Sequence, residues 1–512
     1  MKRFLNSHFV GFSASSCIFL IVIASFIGGN YFQEFISTTL GFFMLKGNYL
    51  LSIGMSIFLL LSLIVAFSPL GNLKLGGINS KPEFSTVSWI TMMFSAGMGI
   101  GLLFFGVGEP LLHYHGNTPG IDPNSSSLTQ DVIGLTLFHW TLHPWGGYSL
   151  VAILIGYFIK PNKVVYSFNA ALKHSIGPKL YSEKLGKLVD ILTILSIVIG
   201  VATSLGYGAL QINAGLFHYF NIEKTSTMQF IIIFLISIGS TMSMLSGITN
   251  GVKKLSELNI IILFLLLVSI IIGYEQYDFL FSIYHSTLNY LGSLPQRSFS
   301  LSLINSAPEW FSDWTIFYWA WWISWSPFVG IFLARISLGR TIRIFILCAL
   351  LVPSLFSIIW FSIIGTTALK LLDTLPELAI AVSAELTEGM FLFLDHVNNI
   401  PSILLGITAL VSIILFFVTS SDSASIVVHN IASGEKKASN AQKIFWSLLE
   451  GALAAILLAT GGLKSLQSFA IITSVPLCLC LLIIIGPFIK LLISDYKKNL
   501  KTMKVSKQYQ AD

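Results

Sequence analysis

Two aromatic clusters carry the clearest chemistry in the chain. The first runs from Phe138 to Tyr148 and holds His139, Trp140, His143, Trp145 and Tyr148. The second runs from Asp313 to Phe328 and holds Trp314, Phe317, Tyr318, Trp319, Trp321, Trp322 and Trp325. Counting Trp310, six of the 11 tryptophans fall between positions 310 and 325. Tryptophan at membrane interfaces collects at span ends, but Trp319 to Trp325 extend well into an apolar run. Trp322 and Trp325 are three residues apart and share a helix face. A cage of such rings suits a quaternary ammonium group, which donates no hydrogen bond but is drawn to ring faces at up to about 2 kcal/mol per desolvated contact. Three or four contacts approach the roughly −8 kcal/mol of micromolar binding. Plain helix packing by aromatic side chains is the competing reading.

A second stretch, Met92 to Tyr114, is long and apolar enough to cross a bilayer, yet Gly97, Gly99 and Gly101 alternate at its centre. Each glycine costs about 1 kcal/mol relative to alanine inside a helix. Lipid offers no water to freed backbone groups, so irregular backbone survives there only where it lines a cavity or is buried in protein. Interrupted spans of this kind mark transporter binding sites near the midplane, whereas close packing by small residues is the alternative. No basic side chain is evident inside the spans to meet a substrate carboxylate. The free amides at the glycine break are the candidate partners. Ionisable groups at depth are few. Asp422 follows the hydroxyl run Thr419, Ser420, Ser421. Glu109 and Asp313 read as caps near span ends, and Glu450 has no assigned partner. His139 and His143 read as packing or hydrogen-bonded residues, since their spacing is a weak metal signal.

The elements that must position these residues are membrane helices. The chain has 512 residues, 54% hydrophobic and 10% charged, with mean hydropathy +0.81; soluble domains carry about 25% charged residues. A β-barrel would show short alternating segments instead. Hydropathy predicts about twelve spans, beginning with 9–29 and 49–70 and ending with 443–462 and 466–493. The first is expected to remain as an anchor rather than be cleaved. All lysines and arginines but Lys46, Lys224, Arg297, Lys370 and Lys464 fall on one side if both termini are cytoplasmic, as the positive-inside rule requires. The net charge of +6 therefore reflects topology and gives no nucleic-acid signal. The four cysteines all lie in apolar runs and suggest neither disulfides nor a metal site. The chain divides into two peripheral spans (1–85), a first repeat (86–274), an external connection with a short helix (275–310), a second repeat (311–493) and a cytoplasmic tail (494–512). The segment 370–398 reads as one external amphipathic helix. Spans five and ten each carry a patch of small and hydroxyl residues mid-membrane, as inverted repeats would place them.

The motifs resemble the betaine/carnitine/choline transporter family. Ala96 to Gly101 with Gly108-Glu109-Pro110 and His113-Tyr114 is similar to its first signature. Phe138 to Trp145, Trp314 to Trp325, Ser326 to Gly330 and Ala334 to Ser337 are similar to the others. The resemblance covers nearly all the spans. It implies an all-α polytopic fold in which two helices precede a five-plus-five inverted-repeat, LeuT-like core, usually assembled as a homotrimer in the plasma membrane. It implies secondary uptake of trimethylammonium compounds by alternating access, without catalysis. It places an aromatic box at Trp140, Trp145, Tyr148 and Trp322, with Trp325 and Phe317 along the pathway and Met98, Gly99 and Gly101 at the substrate. It implies a sodium held by backbone carbonyls of Ser95, Met98 and Phe416 and hydroxyls of Thr419 and Ser420. The family's second sodium uses two threonines where this chain has Ile197 and Val201, so one sodium is expected. Proton-coupled choline carriers carry an acid where this chain has Gly101, which favours sodium coupling and glycine betaine. Proton-coupled choline uptake, sodium-independent carnitine exchange and a non-transporting sensor are the alternatives. The arginine signature departs from the family pattern at Leu338 and Ile344. The short tail does not imply osmotic gating.

Overall fold

The structure is a computed structural model describing residues 2–116, 118–159, 167–249, 251–274, 278–299, 302–434 and 439–508. Lys160, Lys163, Lys436 and Lys437, counted in the charge pattern, lie outside the described residues, as does the end of the tail.

The chain is an all-α polytopic membrane protein. Its first helices are α1 (Lys2–Phe67), α2 (Thr86–Met98), α3 (Gly101–His115), α4 (Leu128–Trp140), α5 (Leu142–Phe158) and α6 (Phe168–Leu180). The middle of the chain forms α7 (Glu183–Phe220), α8 (Ser226–Ser246), α9 (Val252–Gly273), α10 (Phe279–Phe299), α11 (Ser302–Ser306) and α12 (Pro308–Phe311). A π-turn over Ser312–Ile316 leads into α13 (Phe317–Ile336), followed by α14 (Ile342–Leu371), α15 (Glu377–Ala384), α16 (Gly389–Leu394), α17 (Ser402–Ser433) and α18 (Asn440–Gln508). Among the described residues the one β-contact is an isolated bridge between Lys74 and Thr341.

Among the described residues, eight helices are long and apolar enough to cross a membrane, or nine if the bent pair α2 and α3 counts as one. About twelve were expected, and the difference lies in three places. α1 and α18 have 66 and 69 residues, about 100 Å each at 1.5 Å per residue, against a hydrocarbon core of roughly 30 Å. Each is interrupted where the sequence reading ended a span: Gly29 (φ 47°) in α1 and Gly462 (φ 61°) in α18. The expected span 132–159 is interrupted at Thr141 (φ −115°, ψ −113°) into α4 and α5, and Pro144 sits in the first turn of α5, where its missing N–H costs nothing.

The segment 370–398 departs from the single helix expected. It forms the end of α14 and two short helices, α15 and α16, joined by a 3₁₀ turn at Leu386–Glu388. The tight fit of Leu386 against Gly108 explains the split. A methyl group at 108 would lie 2.1 Å from Leu386 Cδ1, so this segment is pressed onto α3 at that turn. The connection before α13 carries a longer helix than expected, α10, with 21 residues.

Candidate functional site

The site is built around the break between α2 and α3. α2 stops at Met98, Gly99 takes φ 54° and ψ −160°, and α3 leaves at a 55° bend. That φ is in the left-handed region, where glycine alone carries no Cβ penalty. Close approach fixes the three glycines as firmly as the dihedral does. A Cβ at Gly97 would lie 2.5 Å from the Trp145 ring, one at Gly99 would lie 2.5 Å from Trp325, and one at Gly101 would lie 1.8 Å from Trp140. The alternating glycines and the three tryptophans are therefore one construction: each missing side chain is the space that one indole occupies.

The rings expected in the box do come together. Trp140 and Trp322 have centroids 5.0 Å apart at 83°, Tyr148 and Trp322 are 6.3 Å apart, Trp145 and Tyr148 are 5.5 Å apart, and Trp322 and Trp325 are 6.5 Å apart. All five are no more than 2% exposed. Edge-to-face contacts at these distances are the favourable arrangement for aromatic pairs. Phe317 stands one layer back, stacked on Trp321 at 5.5 Å, and Trp321 stacks on Trp322 at 5.5 Å. Two of these tryptophan N–H groups are tied to backbone carbonyls. Trp322 Nε1 donates to the His139 carbonyl at 3.0 Å and Trp325 Nε1 donates to the Gly200 carbonyl at 3.2 Å. The Tyr148 hydroxyl is buried with no hydrogen-bond partner.

Glu109 corrects the sequence reading. It is not a cap near a span end: it is fully buried in α3 and gathers four donors. Oε2 accepts from Trp140 Nε1 at 2.7 Å and from the Tyr318 hydroxyl at 2.6 Å. Oε1 lies 2.7 Å from His139 Nδ1 and 3.3 Å from His113 Nε2. With Nδ1–H of His139 donating to the carboxylate, its Nε2 accepts from the Thr315 hydroxyl at 3.0 Å. Glu109 thus fixes the plane of Trp140, a wall of the box. The Gly-Glu-Pro triplet was the available signal, because a carboxylate at membrane depth always needs partners. Glu109, His113 and His139 are close enough to share a metal ion, but their polar atoms are already engaged with one another and with the box.

The hydroxyl patch on α17 meets α2. Ser95 Oγ is 3.2 Å from Thr419 Oγ1, which is 2.9 Å from the Leu415 carbonyl and 3.1 Å from the Phe416 carbonyl. Ser420 Oγ is buried with no partner. Ser95 and Met98 fall in the last turn of α2, whose carbonyls have no intrahelical donors. Ile197 and Val201 on α7 are buried and offer no side-chain oxygen. Asp422 and Glu450 serve neighbouring helices: Asp422 accepts from Ser243 of α8 and from Ser423, and Glu450 accepts from Ser421 and Ser425 of α17.

Both ends of the bundle are clasped. At one, Arg335 Nη1 reaches Glu83 at 2.6 Å, and Arg340 lies 3.9 Å over the Trp89 ring and donates to the Phe84 carbonyl at 3.0 Å. At the other, Lys224 bridges Glu385 at 2.5 Å and Glu388 at 2.6 Å.

A polytopic bundle with a buried ring of aromatic side chains over a broken helix defines a small-molecule membrane transporter. The family description "BCCT, betaine/carnitine/choline family transporter" matches residues 9–497. The chain is 38% identical over 480 residues to the glycine betaine transporter OpuD of Bacillus subtilis, covering 93% of this chain and 91% of that protein. It is 37% identical to glycine betaine transporter 1 of Vibrio parahaemolyticus, covering 86% and 85% of the two chains. A glycine betaine/proline/choline/ectoine transporter of the same organism is also 37% identical, covering 88% and 79%. The chain belongs to the betaine/carnitine/choline transporter family and is a transporter, not an enzyme.

Proposed function

We propose that this protein imports glycine betaine, or a close quaternary ammonium relative, across the plasma membrane by alternating access coupled to sodium. One observation carries the reading. Trp140, Trp145 and Trp325 fill the space left by Gly101, Gly97 and Gly99, so the aromatic box and the broken helix form a single site. The rings suit a trimethylammonium group, and the amides freed at the break suit a carboxylate. Two relatives named as glycine betaine transporters favour that substrate over choline.

The architecture proposed with it has twelve crossings: α1 and α18 each counted twice, α2 with α3 as one, and α4 with α5 as one. Two peripheral spans precede a five-plus-five inverted repeat, three copies assemble, and both termini face the cytoplasm. The clasps at Arg335–Glu83 and Lys224–Glu385 are the contacts that would open in turn. The sodium would be held by the Ser95, Met98 and Phe416 carbonyls with the Thr419 and Ser420 hydroxyls, a set of hard oxygens around the unpartnered Ser420 Oγ. With Ile197 and Val201 lacking oxygen ligands, one sodium accompanies each substrate. One charge crossing about 100 mV gives roughly 2.3 kcal/mol, an accumulation of about 50-fold before the sodium gradient is added.

The test is uptake of labelled betaine into proteoliposomes as external sodium is varied. Thr419→Ala should raise the half-saturating sodium concentration at least about fivefold, because water has no ready entry to replace the lost ligand. Uptake that is independent of sodium, in parent and variant alike, rejects the sodium site.

A further inference from the structure

Glu450 is left over once the box and the hydroxyl patch facing α2 are accounted for. It sits on α18 with 0% exposure, and a carboxylate at membrane depth needs a partner. Its Oε2 accepts from the Ser425 hydroxyl at 3.0 Å and from the Ser421 hydroxyl at 3.3 Å. Its Oε1 is buried and has no hydrogen-bond partner. Among the described residues no lysine, arginine or histidine pairs with this carboxylate. Ser421 and Ser425 are themselves buried, one turn apart on α17. Each donates its proton to Oε2 and keeps lone pairs free to act as a ligand. The third helix of the seam is α8. A methyl group at Gly451 would lie 2.3 Å from Ser237 Oγ, so α8 and α18 touch directly beside Glu450. Ser240 of α8, buried and without a partner, lies between Ser237 and Ser243, and Ser243 bonds Asp422.

We propose that Glu450, Ser421 and Ser425 hold a resident sodium ion, distinct from any sodium carried with substrate. One carboxylate oxygen and two hydroxyl oxygens are hard ligands, and their single negative charge matches a monovalent cation. The ion neutralises a carboxylate that burial without a partner makes costly. The site is separate from the proposed coupling site. At 100° per residue, the pair 421 and 425 faces roughly 170° away from the pair 419 and 420, so the body of α17 lies between them. It also involves neither Ile197 nor Val201 of α7. The resident ion ties α17 to α18 and fixes the rotation of the helix that presents Thr419 and Ser420. Because it stays in place, it adds nothing to the charge carried per substrate.

The resident ion and the carried one fail separately. Equilibrium binding of radiolabelled sodium to the purified full-length carrier, with saturating glycine betaine, counts ions per chain. Two are expected in the parent and one in Glu450→Gln, which keeps the side-chain size but removes the charge. Betaine uptake by Glu450→Gln should still depend on sodium. If Glu450→Gln does not assemble, Ser421→Ala combined with Ser425→Ala replaces it with the same expectations. An equal count in the parent and an assembled variant overturns the resident ion, which is the result if Glu450 simply holds a proton. A variant that loses one ion together with all sodium dependence of uptake also overturns it, because the lost ion was the carried one. A single ion in the parent, lost in Glu450→Gln with uptake independent of sodium in both, keeps the resident ion and rejects the carried one. No sodium bound to the parent overturns both.

Discussion

Trp322→Leu weakens glycine betaine binding by more than about tenfold while the protein still assembles. Leucine keeps an apolar volume but loses the ring face that attracts a cation, a contact worth up to about 2 kcal/mol when desolvated, and tenfold corresponds to about 1.4 kcal/mol. Trp322 is the ring that joins the others: it meets Trp140 at 5.0 Å, Tyr148 at 6.3 Å and Trp325 at 6.5 Å. The substitution also leaves the His139 carbonyl without its donor, so Trp322→Phe is the companion variant. Phenylalanine loses the same hydrogen bond but keeps a ring, and its loss of affinity should be the smaller. Titration calorimetry on both variants reads the difference. Equal affinity in parent and an assembled Trp322→Leu would remove Trp322 from the substrate site.

Gly99→Ala should reduce transport by more than about tenfold with expression close to that of the parent. Two costs coincide at this position. Backbone at φ 54° and ψ −160° is a region kept almost entirely to glycine and costs an alanine about 1–3 kcal/mol, and the new methyl would lie 2.5 Å from the Trp325 ring. The ring must move or the break must straighten, and either change reshapes the box. The strain falls on the site rather than on the surrounding bundle, which is why assembly should survive. Initial rates of betaine uptake, normalised to protein in the membrane, test this. An alanine variant transporting at the parent rate would mean that the break is ordinary helix packing.

Much of this site was legible in the sequence because its parts break local rules. Three alternating glycines within five residues are costly in a helix interior, and six tryptophans packed between 310 and 325 exceed what an interface belt needs. Gly29 and Gly462 fall where hydropathy ended a span, so the turns within α1 and α18 were legible too. What escaped was anything set by which residues face one another. Glu109 read as a cap because its position along the chain lies close to the end of an expected span. Its four partners come from α3, α4 and α13 and meet only when those helices pack. The pairing of Gly97, Gly99 and Gly101 with Trp145, Trp325 and Trp140 was hidden for the same reason, although both halves of it had been singled out. The single helix expected over 370–398 failed on packing as well: Leu386 presses into the gap at Gly108, and no periodicity in the segment itself marks that turn. The arginine region, off the family pattern at Leu338 and Ile344, still clasps the start of α2 and the residues just before it through Glu83, Phe84 and Trp89.

Counterflow in proteoliposomes tests the central claim most directly. Vesicles carrying the parent protein are loaded with unlabelled glycine betaine, with equal sodium on both sides, and diluted into trace labelled betaine. The account predicts a transient accumulation of label above its equilibrium level, absent from protein-free vesicles and strongly reduced in Trp322→Leu. A ligand-binding sensor would bind label without that overshoot. No overshoot from an assembled parent with glycine betaine, choline or carnitine would contradict the assignment of the aromatic box to a carried quaternary ammonium substrate.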